Sequence, residues 1–253
     1  MKNRPYRHLL SFSFMMILAV IGTLYFQENV QAESEYTDFY FVRHAQTLAN
    51  ATGEYTKVNE KTISVKGQKQ IKRLVYKLNK YHGPFDHIIV SPTVRTRETA
   101  LAYLKEEPYR SAELWPEVSE CCWHKKKNDV EPDYRNRGRI GLRSEHKPYY
   151  HFRSMAKKDM SWFSTSSYQD GQAQIKKAIT MLKARYGHSG KKILIVTHYY
   201  AGLKMINTLL GDRYKQLHVF KNAKVTHLRQ DKDGSFRLIL LNNHQPKNKL
   251  KND

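Results

Sequence analysis

Cysteine is almost missing: only Cys121 and Cys122 occur among 253 residues, and they are adjacent. Adjacent cysteines seldom close a disulfide and cannot form a two- or four-cysteine zinc framework, so a disulfide scaffold is excluded and stability must come from apolar burial. His124 stands nearby, but two neighbouring thiols and one imidazole lack ordinary ligand spacing, which favours packing over a metal site. Proline and glycine are scarce too, at 8 and 12 residues, and no Pro/Gly/Ser-rich linker or internal repeat divides the chain. One domain is expected. Acids are the third shortage: 23 Asp and Glu face 44 Lys and Arg, a formal net charge of +21. That balance draws anions, whether phosphate esters, nucleic acid or acidic membrane, without choosing among them. A hydrophobic share of 40% excludes a disordered polymer.

Long apolar runs are also rare. One occurs, from Leu9 to Phe26, behind a start that carries Lys2, Arg4 and Arg7 and ahead of Val30-Gln31-Ala32. Basic, apolar, then polar with small residues is the layout of a secretory signal, read here as residues 1–32 with cleavage after Ala32. The 18-residue run is also near the ~20 residues that span a bilayer, so an uncleaved signal anchor is the alternative. Both predict a secreted, periplasmic or membrane-anchored protein whose remainder, residues 33–253, lies outside the cytoplasm.

In that remainder, Asp38–Val42, His87–Val90 and Ile193–Val196 read as buried strands. Ile71, Leu74, Val75 and Leu78 recur at helical spacing, and Ser91-Pro92 suits the cap and first position of a helix running towards Leu104. Asp170 is placed to cap a helix carrying Ile175, Ile179, Leu182 and Tyr186, and Leu203, Ile206 and Leu210 mark another that ends near Gly211. Val225–Arg229 and Phe236–Leu241 flank an Asp-Lys-Asp-Gly turn, a closing hairpin. The alternation predicts a three-layer α/β/α sandwich on a largely parallel sheet, with ligand at the carboxyl ends of the strands. Between about residues 123 and 168 the pattern breaks into a basic, aromatic insert, suited to a lid over the site or to a solvated excursion.

All three strands end in residues suited to phosphate: Arg43-His44, Ser91-Pro92 with Arg95 beyond, and Thr197-His198. Guanidinium forks match phosphoryl oxygens, and helix amino termini behind the strands add donors. The run Phe41-Val42-Arg43-His44-Ala45-Gln46-Thr47, with Asn50 six positions past the histidine, resembles the opening signature of the histidine phosphatase superfamily, the phosphoglycerate mutase-like group. Ile63–Gln70, Ser91–Ala100 with Arg95, and Val196-Thr197-His198 resemble its later segments, in order. Ala45 departs from a frequent glycine, and Tyr199-Tyr200 from small residues after the second histidine, which bears on substrate size more than on chemistry.

The resemblance implies a metal-independent phosphatase without cofactor, in which His44 attacks phosphorus and forms a phosphohistidine. Arg43, Arg95 and His198 would hold the phosphoryl oxygens and Asn50 would support them. A glutamate some two dozen residues after the second arginine motif would be the acid; Glu120 fits best and Glu117 is the rival. Arg97 reads as a surface charge. The expected substrate is a phosphorylated small molecule, sugar or lipid. No nucleic-acid partner is expected, and membrane contact only through an uncleaved amino-terminal segment. A phosphomutase, or a weakly catalytic polyanion binder using the insert, are the competing functions.

Overall fold

The computed structural model describes residues 36–107, 110–122, 140–154 and 168–246, the Arg213 side chain aside. The segment read as a leader and much of the insert, including Trp123, His124, Lys125–Lys127 and Trp162, lie outside these residues.

Seven strands are described: β1 (Thr37–Arg43), β2 (His87–Val90), β3 (Ala112–Leu114), β4 (Tyr150–Phe152), β5 (Lys192–Thr197), β6 (Val225–Gln230) and β7 (Phe236–Leu240). They form one sheet in the order β4-β3-β2-β5-β1-β6-β7. The first five run parallel, while β6 and β7 are antiparallel additions. The helices are α1 (Leu48–Thr52), α2 (Val65–Lys77), α3 (Val94–Leu104), α4 (Tyr168–Tyr186) and α5 (Tyr199–Leu210).

The central strands are apolar on both faces because each face is covered. Phe39, Phe41, Ile193 and Ile195 pack with Ile175 and Leu182 of α4 and Met205 and Ile206 of α5. Their neighbours Tyr40, Val42, Leu194 and Val196 point the other way, to Leu74 and Val75 of α2 and Ala100 and Leu104 of α3. The protein is thus the expected three-layer α/β/α sandwich, with the hairpin closing its edge.

Local details differ from the sequence expectation. The amino-terminal cap of α3 is Thr93, so Ser91-Pro92 precede the helix and leave Ser91 free to serve the strand end. Helix α4 starts at Tyr168, which puts Asp170 in its first turn, where a carboxylate complements the positive end of the helix dipole, and not at the cap. The described part of the insert is not irregular throughout: Tyr150–Phe152 pairs with β3 as an edge strand.

Arg97 is not a surface charge. It is 5% exposed, its Nη1 donates to the Gly141 carbonyl at 3.0 Å, and its own carbonyl accepts from the Tyr150 hydroxyl at 2.6 Å. A helix position facing the 140–152 segment needed a donor for a stranded carbonyl, and this guanidinium supplies it. Cys121 and Cys122 are likewise not a pair of thiols but are bonded to each other. The bond joins neighbours and closes no long loop, so it cannot replace apolar burial as the source of stability.

Gly202 lies where α5 passes closest to Phe220, and a Cβ there would run into the Phe220 ring and come within 2.9 Å of Thr197 Cγ2. Both neighbours are fully buried and cannot retreat into solvent. Gly202→Ala is expected to lose about 1–3 kcal/mol through overpacking. Urea unfolding checks this, and an unchanged midpoint would show that the contact relaxes freely.

Candidate active site

Strand pairing builds the site. β2, β5 and β1 are consecutive in the sheet, with Arg43 opposite Thr197 and Val90 opposite Val196, so their carboxyl ends sit side by side. Two backbone bonds continue the pairing past the strands: His44 N–H donates to Thr197 O and Ser91 N–H to Val196 O, each at 3.0 Å. Residues 43–44, 91 and 197–198 are therefore neighbours although more than 150 positions separate the first pair from the last.

The His44 and His198 rings meet edge to face with centroids 5.4 Å apart, and both are buried. His44 Nδ1 donates to the Ala45 carbonyl at 2.8 Å. A carbonyl can only accept, so in the neutral ring Nδ1 carries the proton and Nε2 the lone pair. His198 Nε2 bonds the Ser91 hydroxyl at 2.8 Å. The free Ser91 side chain thus orients the second histidine, a role the sequence reading did not give it. Burial holds both imidazoles well below the ordinary 6.5, with Arg95 and Arg43 adding to the effect.

Arg43 is positioned by its Nη1 bond to the Phe220 carbonyl at 3.2 Å and by the Tyr199 ring, 4.9 Å from its Cζ. Arg95 enters from the first turn of α3, which Thr99 ties to the His44 loop: the Thr99 hydroxyl donates to Arg95 O and accepts from Ala45 N–H. Its guanidinium is within 3.9 Å of Glu60. Two buried polar atoms of the site have no partner among the described residues, Arg43 Nε and His198 Nδ1.

Glu120 reaches the same place from the segment after β3. Its Oε1 accepts from Tyr200 and Ala201 N–H, at 3.1 and 3.0 Å, and from Cys121 N–H at 3.3 Å. Thr197 Oγ1 donates to Val118 O and fixes that segment against β5. Desolvation raises the Glu120 carboxyl above its ordinary 4.5, although the backbone donors and both arginines pull it down. The rival Glu117 is committed elsewhere, to Lys177 at 2.9 Å and Arg153 at 3.5 Å. Asn50 serves α1 first: its Oδ1 accepts from Thr47 N–H and from Asn222 Nδ2, which leaves its amide nitrogen for a ligand. Asn222, unmarked in the sequence reading, also donates to the His44 carbonyl at 2.8 Å. Sequence offers no signal for it, since an isolated asparagine before a strand looks like any turn residue.

The arrangement can polarise and hold a tetrahedral anion: two guanidiniums, a neutral imidazole with its lone pair on Nε2, a second imidazole and a half-buried carboxyl. The model of the histidine phosphatase superfamily, branch 1, matches residues 39–244, and the chain belongs to that family. No curated protein matches the chain. Among solved structures, phosphoglycerate mutase from Bacillus anthracis is similar at 16% identity and a TM-score of 0.56, covering 83% of this chain and 94% of that one. The alpha-ribazole phosphatase of Shigella flexneri is similar at 16% identity and 0.53, covering 83% and 99%. A phosphoserine phosphatase of Entamoeba histolytica is similar at 16% and 0.52, covering 81% and 97%. At such identities the likeness concerns the phosphoglycerate mutase-like fold.

The buried histidines make a prediction for stability. Below 6.5 the unfolded chain takes up protons that folded His44 and His198 refuse, so stability falls as pH drops from 6.5 downwards. The melting temperature is expected to be lower near pH ~5 than near ~7.5, with a shallower decline in His44→Asn. Equal slopes in variant and wild type would locate the acid sensitivity elsewhere.

Proposed function

We propose that this protein is an exported phosphatase that hydrolyses phosphomonoesters through a phosphohistidine on His44, without a metal or other cofactor. The observation that carries the reading is the 2.8 Å bond from His44 Nδ1 to the Ala45 carbonyl, which leaves Nε2 as an unprotonated nucleophile beside two guanidiniums. Family membership supports it, and so do the unpaired Arg43 Nε and His198 Nδ1, two buried groups that phosphoryl oxygens would satisfy.

In the first step the Nε2 lone pair of His44 attacks phosphorus and the P–O bond to the alcohol breaks. Glu120, whose neutral form is favoured by burial, gives its proton to the leaving oxygen. Arg43, Arg95 and His198 hold the equatorial oxygens, where charge spreads in a loose transition state, and the Asn50 amide supports them. In the second step the Glu120 carboxylate takes a proton from water, whose oxygen attacks phosphorus, and the N–P bond returns its electrons to His44. Inorganic phosphate leaves. A phosphorylated small molecule, sugar or lipid is the proposed substrate class, and no nucleic acid is expected as partner.

His44→Ala is expected to abolish turnover and the acid-labile phosphoprotein trapped after quenching, with chelator present throughout; equal turnover in variant and wild type would sink the proposal. Phosphoryl transfer to a sugar acid in place of water would mark a mutase. Glu120→Gln is expected to lose about 10²–10⁴-fold in kcat on an alkyl phosphate. In wild type, kcat/KM should rise as His44 deprotonates, below the ordinary 6.5, and fall as Glu120 deprotonates, above 4.5. The variant should lose the falling limb, and keeping it would remove Glu120 from the acid role.

The leader reading supports export. Amino-terminal sequencing of the mature protein is expected to begin at Glu33 if the segment is cleaved, and to find residues 1–32 in the membrane fraction if it is an anchor. A full-length cytosolic chain would overturn both.

A further inference from the structure

Two tyrosines, one partly buried and one exposed, stand beside the charged groups of this site. Tyr199 and Tyr200 open α5, directly after His198. Tyr199 is fixed: its hydroxyl donates to the His218 carbonyl at 2.6 Å, and its face lies 4.9 Å from Arg43 Cζ. Tyr200 stands edge to face on it, centroids 5.0 Å apart, with 42% of its surface exposed. Its N–H holds the Glu120 carboxyl at 3.1 Å, so this ring belongs to the residue that grips the group facing the leaving alcohol. The 53–62 loop brings Tyr55, 62% exposed, within electrostatic reach of both Arg43 and Tyr200, and the same loop sets Glu60 on Arg95.

Exposed tyrosines alone mean little. Tyr76 and Tyr81 are similarly open, yet they face each other and Lys80 around the end of α2. Tyr55 and Tyr200 differ in flanking the groups that would hold phosphate.

We propose that Tyr55 and Tyr200, with Tyr199 behind them, clasp a flat aromatic alcohol, so that the site favours phosphate esters of phenols over those of polyols. The inference rests on the phosphomonoesterase reading above and narrows its substrate. Ring stacking on a tyrosine is favourable beyond the area it buries, whereas a polyol would leave hydroxyls against apolar faces.

Two non-hydrolysable probes, phenylphosphonate and methylphosphonate, separate binding from leaving-group reactivity. By calorimetry on the full chain, phenylphosphonate is expected to bind about tenfold more tightly. The preference should shrink severalfold in Tyr55→Ala and in Tyr200→Ala and return in the corresponding phenylalanine variants. Equal affinities in wild type, or a preference that survives both alanine variants, would overturn the aromatic clasp while leaving hydrolysis intact. Failure of both probes to bind, together with no turnover of any phosphomonoester, would overturn the hydrolase reading and this inference with it.

Discussion

The parallel pairing of β1 with β5, and of β5 with β2, holds the site together. Register along these strands sets Arg43 against Thr197 and Val90 against Val196, and the backbone bonds from His44 and Ser91 carry the alignment one residue beyond each strand. Because parallel strands all end on the same side of a sheet, three separate segments deliver their polar residues to one crevice. A one-residue slip would turn Phe39 and Phe41 to the face now filled by Tyr40 and Val42, and both cores would resist it. The precision of the site is thus underwritten by apolar packing on both sides of the sheet.

What the sheet assembles is electrostatically costly. Two guanidiniums face two buried imidazoles, and the imidazoles respond by staying neutral, which is the form a nitrogen nucleophile needs. Glu120 lies within electrostatic reach of both guanidiniums, its carboxyl held by the amino terminus of α5 yet still raised by burial. Charge pattern and proton positions therefore arise from the same burial.

Much of this was legible in the chain. Short apolar runs bounded by Arg-His, Ser-Pro and Thr-His marked the three central strands, because strands covered on both faces need no alternation. Their order, alternating with helical periodicity, gave the layers. Motif order drew attention to His44, Arg43, Arg95 and His198, which the fold brings near one another. Less legible were β3 and β4, three residues each, too short for any period to show. Arg97 looked like solvent-facing charge because nothing local says that a distant carbonyl, that of Gly141, will need its guanidinium. Adjacent Cys121 and Cys122 looked too close to bond, and their pairing depends on the backbone path after Glu120, which composition does not reveal.

The choice between Glu117 and Glu120 shows where the division falls. Three residues apart, the two carboxylates are of one type, and spacing favoured Glu120 while leaving Glu117 as its rival. In the folded chain Glu117 turns to Lys177 and Arg153, and Glu120 to the amino terminus of α5. By itself the sequence determined which segments are buried, in what order they alternate, and which side chains suited to phosphate end the central strands, since local periodicity and residue type encode those. Tertiary structure alone decided that Glu117 is paired with Lys177 and Arg153, that the amino terminus of α5 holds Glu120, and that Ser91 bonds His198 and Asn222 the His44 carbonyl. Those outcomes depend on contacts between residues tens to nearly two hundred positions apart, and such contacts exist only once both faces of the sheet are packed.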